Sequence, residues 1–397
     1  MQKRSTFAIG VDLGTESIKS VALEMPGDGS APKVLGIGGS LAKGFRRGSI
    51  SEPGEAAISI TEAVESLVKS CGVPKDNIYA GIGGLGVSFQ KSKGLVVVSR
   101  ADGEVTKEDM RRVVFASEGG LSRLQNKEIL HRAPLLYRVD NELPSQDPFG
   151  LTGSKLEVET MFITAQSPSI KSAIKAFEEA NIEVEEIVAS PFLVSRAVLE
   201  KRETEVGVVV LDLGAATCSV SIFEEGLPYS LEVLPVGSAH ITRDIAVGFQ
   251  IDLDEAEKLK LDFKSFDKIG KNDEMIQGKY SRKKLSDIIE ARFEDIFELV
   301  EKHLKKVERI GLLPAGVVIV GGGANFPGIE DLSKNYLKLP SRIGYPRTIG
   351  GATELVKNPA WSTAVGIALH GLENSSKSPF SRGKSGALIR WLRTFLP

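Results

Sequence analysis

The chain reads as an α/β protein built from two copies of one domain, with a small α+β subdomain inserted in the first copy and an amphipathic helix at its end. Three observations predict this. An apolar strand, an Asp-Leu-Gly turn with a hydroxyl residue and a second alternating strand occur twice. They run once from Phe7 through Asp12-Leu13-Gly14-Thr15 to Leu23, and again from Val208 through Asp212-Leu213-Gly214 and Thr217 to Ile222. A strand-helix-strand-strand pattern interrupts the first copy at residues 89–165. The last dozen residues, after a polar stretch rich in Ser, Pro and Gly, place bulky apolar side chains on one helical face.

The elements follow in order. After the first hairpin, Val34 to Ser40 is a strand, and Ile58, Ile60, Ala63, Val64, Leu67 and Val68 stripe a helix from Glu55 to Cys71. Ile78 to Val87 is a Gly-rich strand and turn. Within the insertion, Leu95 to Val98 is a strand, and Thr106 caps a helix from Lys107 to about Ser117, with Asp109 as a weak capping-box partner. Ile129 to Val139 is extended, with Pro134 arguing for an edge or a bulge, and Leu156 to Thr164 is the last strand. Ser169 to Ala180 is a helix, Val184 to Val188 a strand, and Ala189 to Leu199 a helix. Beyond the second hairpin, Asp254 to Leu261 and Leu285 to Ile310 are charged amphipathic helices. Gly316 to Gly323 is a buried strand ending in three glycines, and Pro327 marks the next helix start. Trp361 to Gly371 is helical, and Glu373 to Gly383 reads as a linker.

The expected organisation is a first domain at residues 1–88, 166–196 and 344–371, an insertion at 89–165, and a second domain at 197–343 whose outer part is about 243–312. A linker at 372–384 and a terminal helix at 385–397 complete it.

Composition excludes several classes. A net charge of −2 does not suit a polyanion binder, so no nucleic-acid partner is expected. No run approaches the ~20 apolar residues of a membrane span, and the polar Gln2 to Thr6 is no signal peptide. Cys71 and Cys218 imply no disulfide framework, which suits a reducing cytoplasm. His131, His240, His303 and His370 show no metal-ligand spacing.

The paired hairpins carry the chemistry. Backbone N–H groups in a Gly turn can approach a phosphate closely, and Thr15 and Thr217 add hydroxyl donors. Asp12 and Asp212 suit a hydrated magnesium ion. One copy alone is an ordinary hairpin; two copies followed by Gly321-Gly322-Gly323-Ala324-Asn325 point to a nucleotide clamp. Glu257 and Lys260 share a helical face, where they either hold a ribose or form a solvated ion pair.

This order of motifs resembles the actin-like ATPase superfamily over nearly the whole chain. The resemblance implies two ribonuclease-H-type domains closing over ATP and magnesium. Asp12, Gly14, Thr15 and Lys19 then match the first phosphate motif, Asp212, Gly214 and Thr217 the second, Gly321, Gly322, Gly323 and Asn325 the adenosine motif, and Gly237 opens the connecting helix. Gly44-Phe-Arg-Arg-Gly48-Ser-Ile50, Phe149-Gly-Leu-Thr-Gly153, Ile289-Glu-Ala-Arg292 and Ser362-Thr-Ala-Val-Gly366 narrow the resemblance to the FtsA family of bacterial cell-division proteins. That family implies an amphipathic membrane anchor at the C-terminus, self-association into filaments, contact with other division proteins, and capture of the acidic C-terminal peptide of the tubulin-like FtsZ. Arg292, then Lys283 and Lys284, are the basic residues expected to meet that peptide; an ordinary solvated helix face is the alternative. One departure is Ala215-Ala216 in the second phosphate turn, where the family carries more glycine. It argues for ATP binding with at most slow hydrolysis, and Asp212 is the candidate to orient a water.

In the tail, Leu388, Ile389, Trp391, Leu392, Phe395 and Leu396 share one face, with Arg390 and Arg393 opposite. Trp and Phe on the apolar face with Arg across from them is the pattern of an interfacial helix. From Asn374 onward there are basic residues and no acidic ones, suiting an anionic leaflet at ~1 kcal/mol per basic residue. The expected place is the cytoplasmic face of the membrane at the division site. A pilus-assembly actin homologue or a small-molecule kinase of the same superfamily are the alternatives; the first lacks such a tail, and the second would need a catalytic carboxylate that the sequence does not offer.

Overall fold

In the computed structural model, residues 5–121, 124–264, 275–347 and 349–377 are described. The chain starts with β1 (Thr6–Leu13), β2 (Ser17–Met25) and β3 (Lys33–Leu41), then a short hairpin of β4 (Phe45–Arg46) and β5 (Ser49–Ile50). Helix α1 (Pro53–Cys71) and β6 (Ile78–Ile82) follow. Next come β7 (Ser88–Val97), α2 (Lys107–Glu118), β8 (Lys127–Val139), β9 (Lys155–Gln166), α3 (Ser167–Glu179) and β10 (Glu186–Ala189). Three short helices, α4 (Ser190–Leu193), α5 (Ser195–Val198) and α6 (Lys201–Val206), lead to β11 (Val208–Leu213), β12 (Cys218–Glu224) and β13 (Leu227–Leu234). The rest is α7 (Ser238–Phe249), α8 (Leu253–Leu261), β14 (Met275–Ile276), β15 (Tyr280–Ser281), α9 (Arg282–Lys306), β16 (Val317–Val320), α10 (Ile329–Leu337), β17 (Ser341–Ile343), β18 (Gly350–Gly351) and α11 (Ser362–Lys377).

Two sheets repeat one plan. In the first the order is β3-β2-β1-β6-β10, with β18 added beyond β3; in the second it is β13-β12-β11-β16-β17. In each, three antiparallel strands are followed by two parallel ones. The register places the two aspartates at equivalent points. Asp12 sits opposite Lys19 across its hairpin, and Asp212 opposite Ser219. The Asp-Leu-Gly repeat in the sequence is therefore a repeat of topology.

Strand alternation divides the second sheet between two cores. Val209, Leu211, Val317 and Ile319 face the outer core with Phe293 and Phe297 of α9, while Val208, Val210, Val318 and Val320 face a core shared with the first sheet and α11. Strands buried on both faces read as continuous apolar runs, which is why Val208-Val-Val-Leu211 and Val317-Val-Ile-Val320 show no polar alternation.

Residues 86–171 form a unit of their own. Its sheet runs β7-β9-β8, with α2 packed on it over Val98, Val105, Val113, Tyr137, Val139, Leu156 and Val158. Thr106 caps α2 in a full capping box, its hydroxyl accepting from the Asp109 N–H while the Asp109 carboxylate accepts from the Thr106 N–H. The reciprocal bond makes this partner stronger than expected, and Asp109 is fully buried. Pro134 falls at a register shift of β8 against β9, as a strand proline should.

Several boundaries differ from expectation: β7 starts at Ser88 rather than Leu95, and α9 runs from Arg282 to Lys306 rather than from Leu285 to Ile310. The stretch Ala189 to Leu199 is two short helices, because Pro191 opens the first and Val194 ends it. The last helix runs to Lys377 and so takes up the first residues of the expected linker. Leu372 is buried in the shared core, Glu373 pairs with Arg196, and the Asn374 amide donates to Glu186 at 3.1 Å. These three anchors extend the helix past Gly371. No helix among the described residues is long and apolar enough to cross a membrane. The tail, including Leu388, Ile389, Arg390, Trp391, Leu392, Arg393, Phe395 and Leu396, lies outside the described residues.

Candidate nucleotide site

A cavity of about 460 Å³ lies between the two sheets, at the turns that end β1 and β11. Asp12, Gly14, Thr15 and Lys19 reach it from the first hairpin, and Asp212, Gly214, Ala215 and Thr217 from the second. Glu257 and Lys260 of α8 line it, as do Gly321, Gly322 and Asn325 after β16. The fold thus gathers residues more than three hundred positions apart in sequence around one volume, a size that suits a nucleotide. Gly237 and Gly323 do not line the cavity and act behind it.

Gly237 supports the second turn. Its neighbours Ser238 and Ala239 donate backbone N–H groups to the Gly214 and Ala215 carbonyls, each at 2.9 Å, stapling the N-terminus of α7 to the turn. A Cβ at Gly237 would lie 2.5 Å from both carbonyl oxygens. Backbone leaves no room for a side chain there, so Gly237→Val is expected to push α7 off the turn. The expected result is a loss of nucleotide affinity of about tenfold or more, checked by titration calorimetry, the size that a lost charge-assisted hydrogen bond would give. Gly321 has φ +84, and a Cβ there would strike Asp212 Oδ1. Gly323 packs in the same way against the Leu213 side chain.

The two aspartates are the electrostatic centre. Burial raises the Asp12 carboxyl to about 7; Lys19 opposes this, and Asp212 adds to it. Burial likewise raises Asp212, against a 3.1 Å hydrogen bond from Thr363 Oγ1 and the charge of Lys19. Burial of the neighbouring Cys218 thiol, with Asp212 close by, pushes its pKa up as well. Lys19 donates to Ser17 Oγ at 2.6 Å. Two carboxylates that resist ionisation around one lysine form a donor set that a hard divalent cation would complete with water.

On the α8 side, Lys260 Nζ lies 2.5 Å from Glu257 Oε2 and donates to Thr242 Oγ1 at 2.9 Å; Thr242 donates to Glu257 at 2.6 Å. The Lys260 side chain is only 9% exposed and that of Glu257 39%, so the pair is a wall element braced from its lysine side. Asn325 Nδ2 donates to the Gly322 carbonyl and to Asn358 Oδ1, both at 3.1 Å. The sequence reading missed Phe263, Leu261 and Phe326, which add apolar surface beside Lys260 and Gly322, and Thr363, which holds Asp212. Phe263 follows the predicted helix end and Phe326 the glycine motif, so their adjacency to motifs was the available signal. Gly48, Gly83 and Gly84 were also missed.

The basic residues expected at a partner surface lie elsewhere, on α9. Arg292 is already engaged: its Nε and Nη2 donate to the Asp244 carboxylate at 2.6 and 2.9 Å, and Nη1 lies 3.0 Å from Asp295. A bidentate pair of this kind ties α9 to α7. Lys283 and Lys284 are exposed in the first turn of α9, with Lys284 Nζ 5.0 Å from the Phe249 ring centre.

Comparison with known proteins places this geometry in a family. A family model described as "Cell division protein FtsA" matches residues 209–366, and one described as "SHS2 domain inserted in FTSA" matches residues 84–164. The cell division protein FtsA of Borreliella burgdorferi is 30% identical, covering 91% of this chain and 90% of its own. That of Bacillus subtilis is 30% identical over 92% and 84%, and that of Pseudomonas aeruginosa 28% over 93% and 90%. Among solved structures, a PilM–PilN type IV pilus biogenesis complex aligns with a TM-score of 0.68 at 20% identity, covering 92% of this chain and 98% of that one. MreB 5 of Spiroplasma citri bound to AMPPNP aligns with a TM-score of 0.54 at 13% identity, covering 94% and 98%. These two share the actin-like fold. With the duplicated sheets, the insertion and relatives aligned over nine-tenths of its length, the chain belongs to the FtsA family of cell-division proteins.

Proposed function

We propose that this protein binds ATP with magnesium between its two lobes, polymerises on the cytoplasmic face of the membrane, and tethers the FtsZ ring there during septum formation. The observation that carries the nucleotide part is the convergence of two Asp-Leu-Gly hairpins, at equivalent registers, on one cavity. The turns offer N–H groups and the Thr15 and Thr217 hydroxyls to phosphates; Glu257 and Lys260 hold the ribose; Gly321, Gly322 and Asn325 receive the adenosine beside Phe263 and Phe326. Asp12 and Asp212 hold magnesium through water, and the ion when bound neutralises phosphate charge. Asp212, fixed by Thr363, orients a water beside the terminal phosphate, with slow turnover at most. A bound triphosphate analogue in the MreB 5 structure supports the site's class.

Titration calorimetry with ATP tests this. Binding should require magnesium and vanish with a chelator. Equal binding with and without magnesium would contradict the assignment of Asp12 and Asp212. The membrane and FtsZ parts are supported by family membership and by the amphipathic tail. A pilus-assembly role is the weaker alternative, since the PilM likeness, at 20% identity, is one of fold alone.

A further inference from the structure

The hairpin β4–β5 turns through Arg47 and Gly48, with φ of +51 and +78. Two successive left-handed residues make a type I′ turn, whose first position favours Asn, Asp or Gly. Arginine there is conformationally costly. The turn is seated on the nucleotide cavity. Gly48 lines it, and a Cβ at Gly48 would lie 2.6 Å from Gly84 Cα and 3.4 Å from Thr217 Cγ2. This turn of the first lobe therefore lies close to Thr217 in the second lobe's phosphate turn, with room for no side chain at Gly48.

Charge in the cavity is one-sided. Four carboxylates line it, Asp12, Glu16, Asp212 and Glu257, against two lysines, Lys19 and Lys260. Lys19 is tied to Ser17, and Lys260 to Glu257 and Thr242. A triphosphate adds more negative charge, at the end of the cavity where Thr15 and Thr217 stand. Arg46 and Arg47 are exposed immediately before Gly48, outside the residues that line the cavity, and neither forms an ion pair with a described residue.

We propose that Arg47 reads the terminal phosphate, so that a triphosphate holds the β4–β5 turn against the Thr217 turn and a diphosphate does not. The guanidinium's planar fork of donors matches two phosphate oxygens at once. The costly arginine at a turn position is then explained by what its side chain must reach. This inference rests on the ATP reading above and adds a nucleotide-state sensor to it.

Affinities for a non-hydrolysable ATP analogue and for ADP, both with magnesium, test it in four chains: the native one, Arg47→Gly, Arg47→Lys and Arg46→Ala. Glycine suits the turn's backbone, so Arg47→Gly removes the side chain and keeps the fold. It is expected to lose about tenfold or more in triphosphate affinity while ADP stays within about twofold, the size of a charge-assisted hydrogen bond. Arg47→Lys should recover part of the loss, and Arg46→Ala should leave the triphosphate-to-diphosphate ratio unchanged. An unchanged ratio in Arg47→Gly, or an equal loss for both nucleotides, overturns the inference while the ATP site stands. A native chain that binds neither nucleotide overturns both.

Discussion

Asp12→Asn is expected to abolish magnesium-dependent ATP binding and, at the same time, to stabilise the nucleotide-free protein at pH 8. The Asp12 carboxyl titrates at about 7 in the folded chain and near 3.8 when unfolded. Its folded pKa is raised, so its contribution to stability is fully present below pH 3.8 and is lost as pH rises to 7. Above that it costs up to roughly 4 kcal/mol, less where cavity water screens it. Asparagine has no proton to lose. Thermal denaturation without nucleotide should therefore show the variant melting higher at pH 8, by a gain more than twice that at pH 5. Calorimetry should show ATP affinity falling about a hundredfold or more, within the range for removing one partner of a hydrogen-bonded charge pair. A variant less stable than the native chain at both pH values would contradict the buried-carboxylate account. One that keeps magnesium-dependent binding would remove Asp12 from the metal site.

Removing the tail should have the second large effect. A chain ending at Lys377 is expected to lose binding to anionic vesicles entirely, and Trp391→Asp to weaken it by roughly 2–3 kcal/mol, about 30- to 150-fold. The cut belongs after Lys377 because α11 continues to that residue. A cut at Gly371 would strip Leu372 from the shared core and remove the Glu373 and Asn374 anchors, confusing unfolding with loss of membrane contact. Co-sedimentation at two salt concentrations measures both contributions, since Arg390 and Arg393 act through a screened attraction and the apolar face does not. Undiminished vesicle binding by the shortened chain would rule out the tail as anchor. A single tail of about a dozen residues would anchor weakly, and several tails on one proposed filament would gain by avidity.

Much of the architecture was legible in the sequence because it is written locally. The two Asp-Leu-Gly hairpins announce a repeat, and the structure sets Asp12 against Lys19 and Asp212 against Ser219 at equivalent registers. The α2 cap was legible for the same reason, since Thr106 and Asp109 are three residues apart. What the sequence hid is what only the third dimension creates. The pairing of Arg292 with Asp244 spans 48 positions and joins α9 to α7, so a residue that reads as a free cation is spoken for. Thr363 reaches Asp212 across 151 positions. Gly48 reads as part of a loop, yet its lack of a side chain lets the β4–β5 turn settle on Gly84. The length of α11 was hidden too, because the polar residues after Leu372 look like linker until their partners on β10 and α5 are seen.

The central claim is that an ATP-closed actin-like body holds FtsZ at a membrane through its tail. Fluorescent FtsZ on anionic liposomes with magnesium and ATP tests it most directly, comparing the intact chain with one ending at Lys377. The account predicts FtsZ recruited to the liposome surface by the intact chain and left in solution with the shortened one. FtsZ recruited equally by both chains would contradict it.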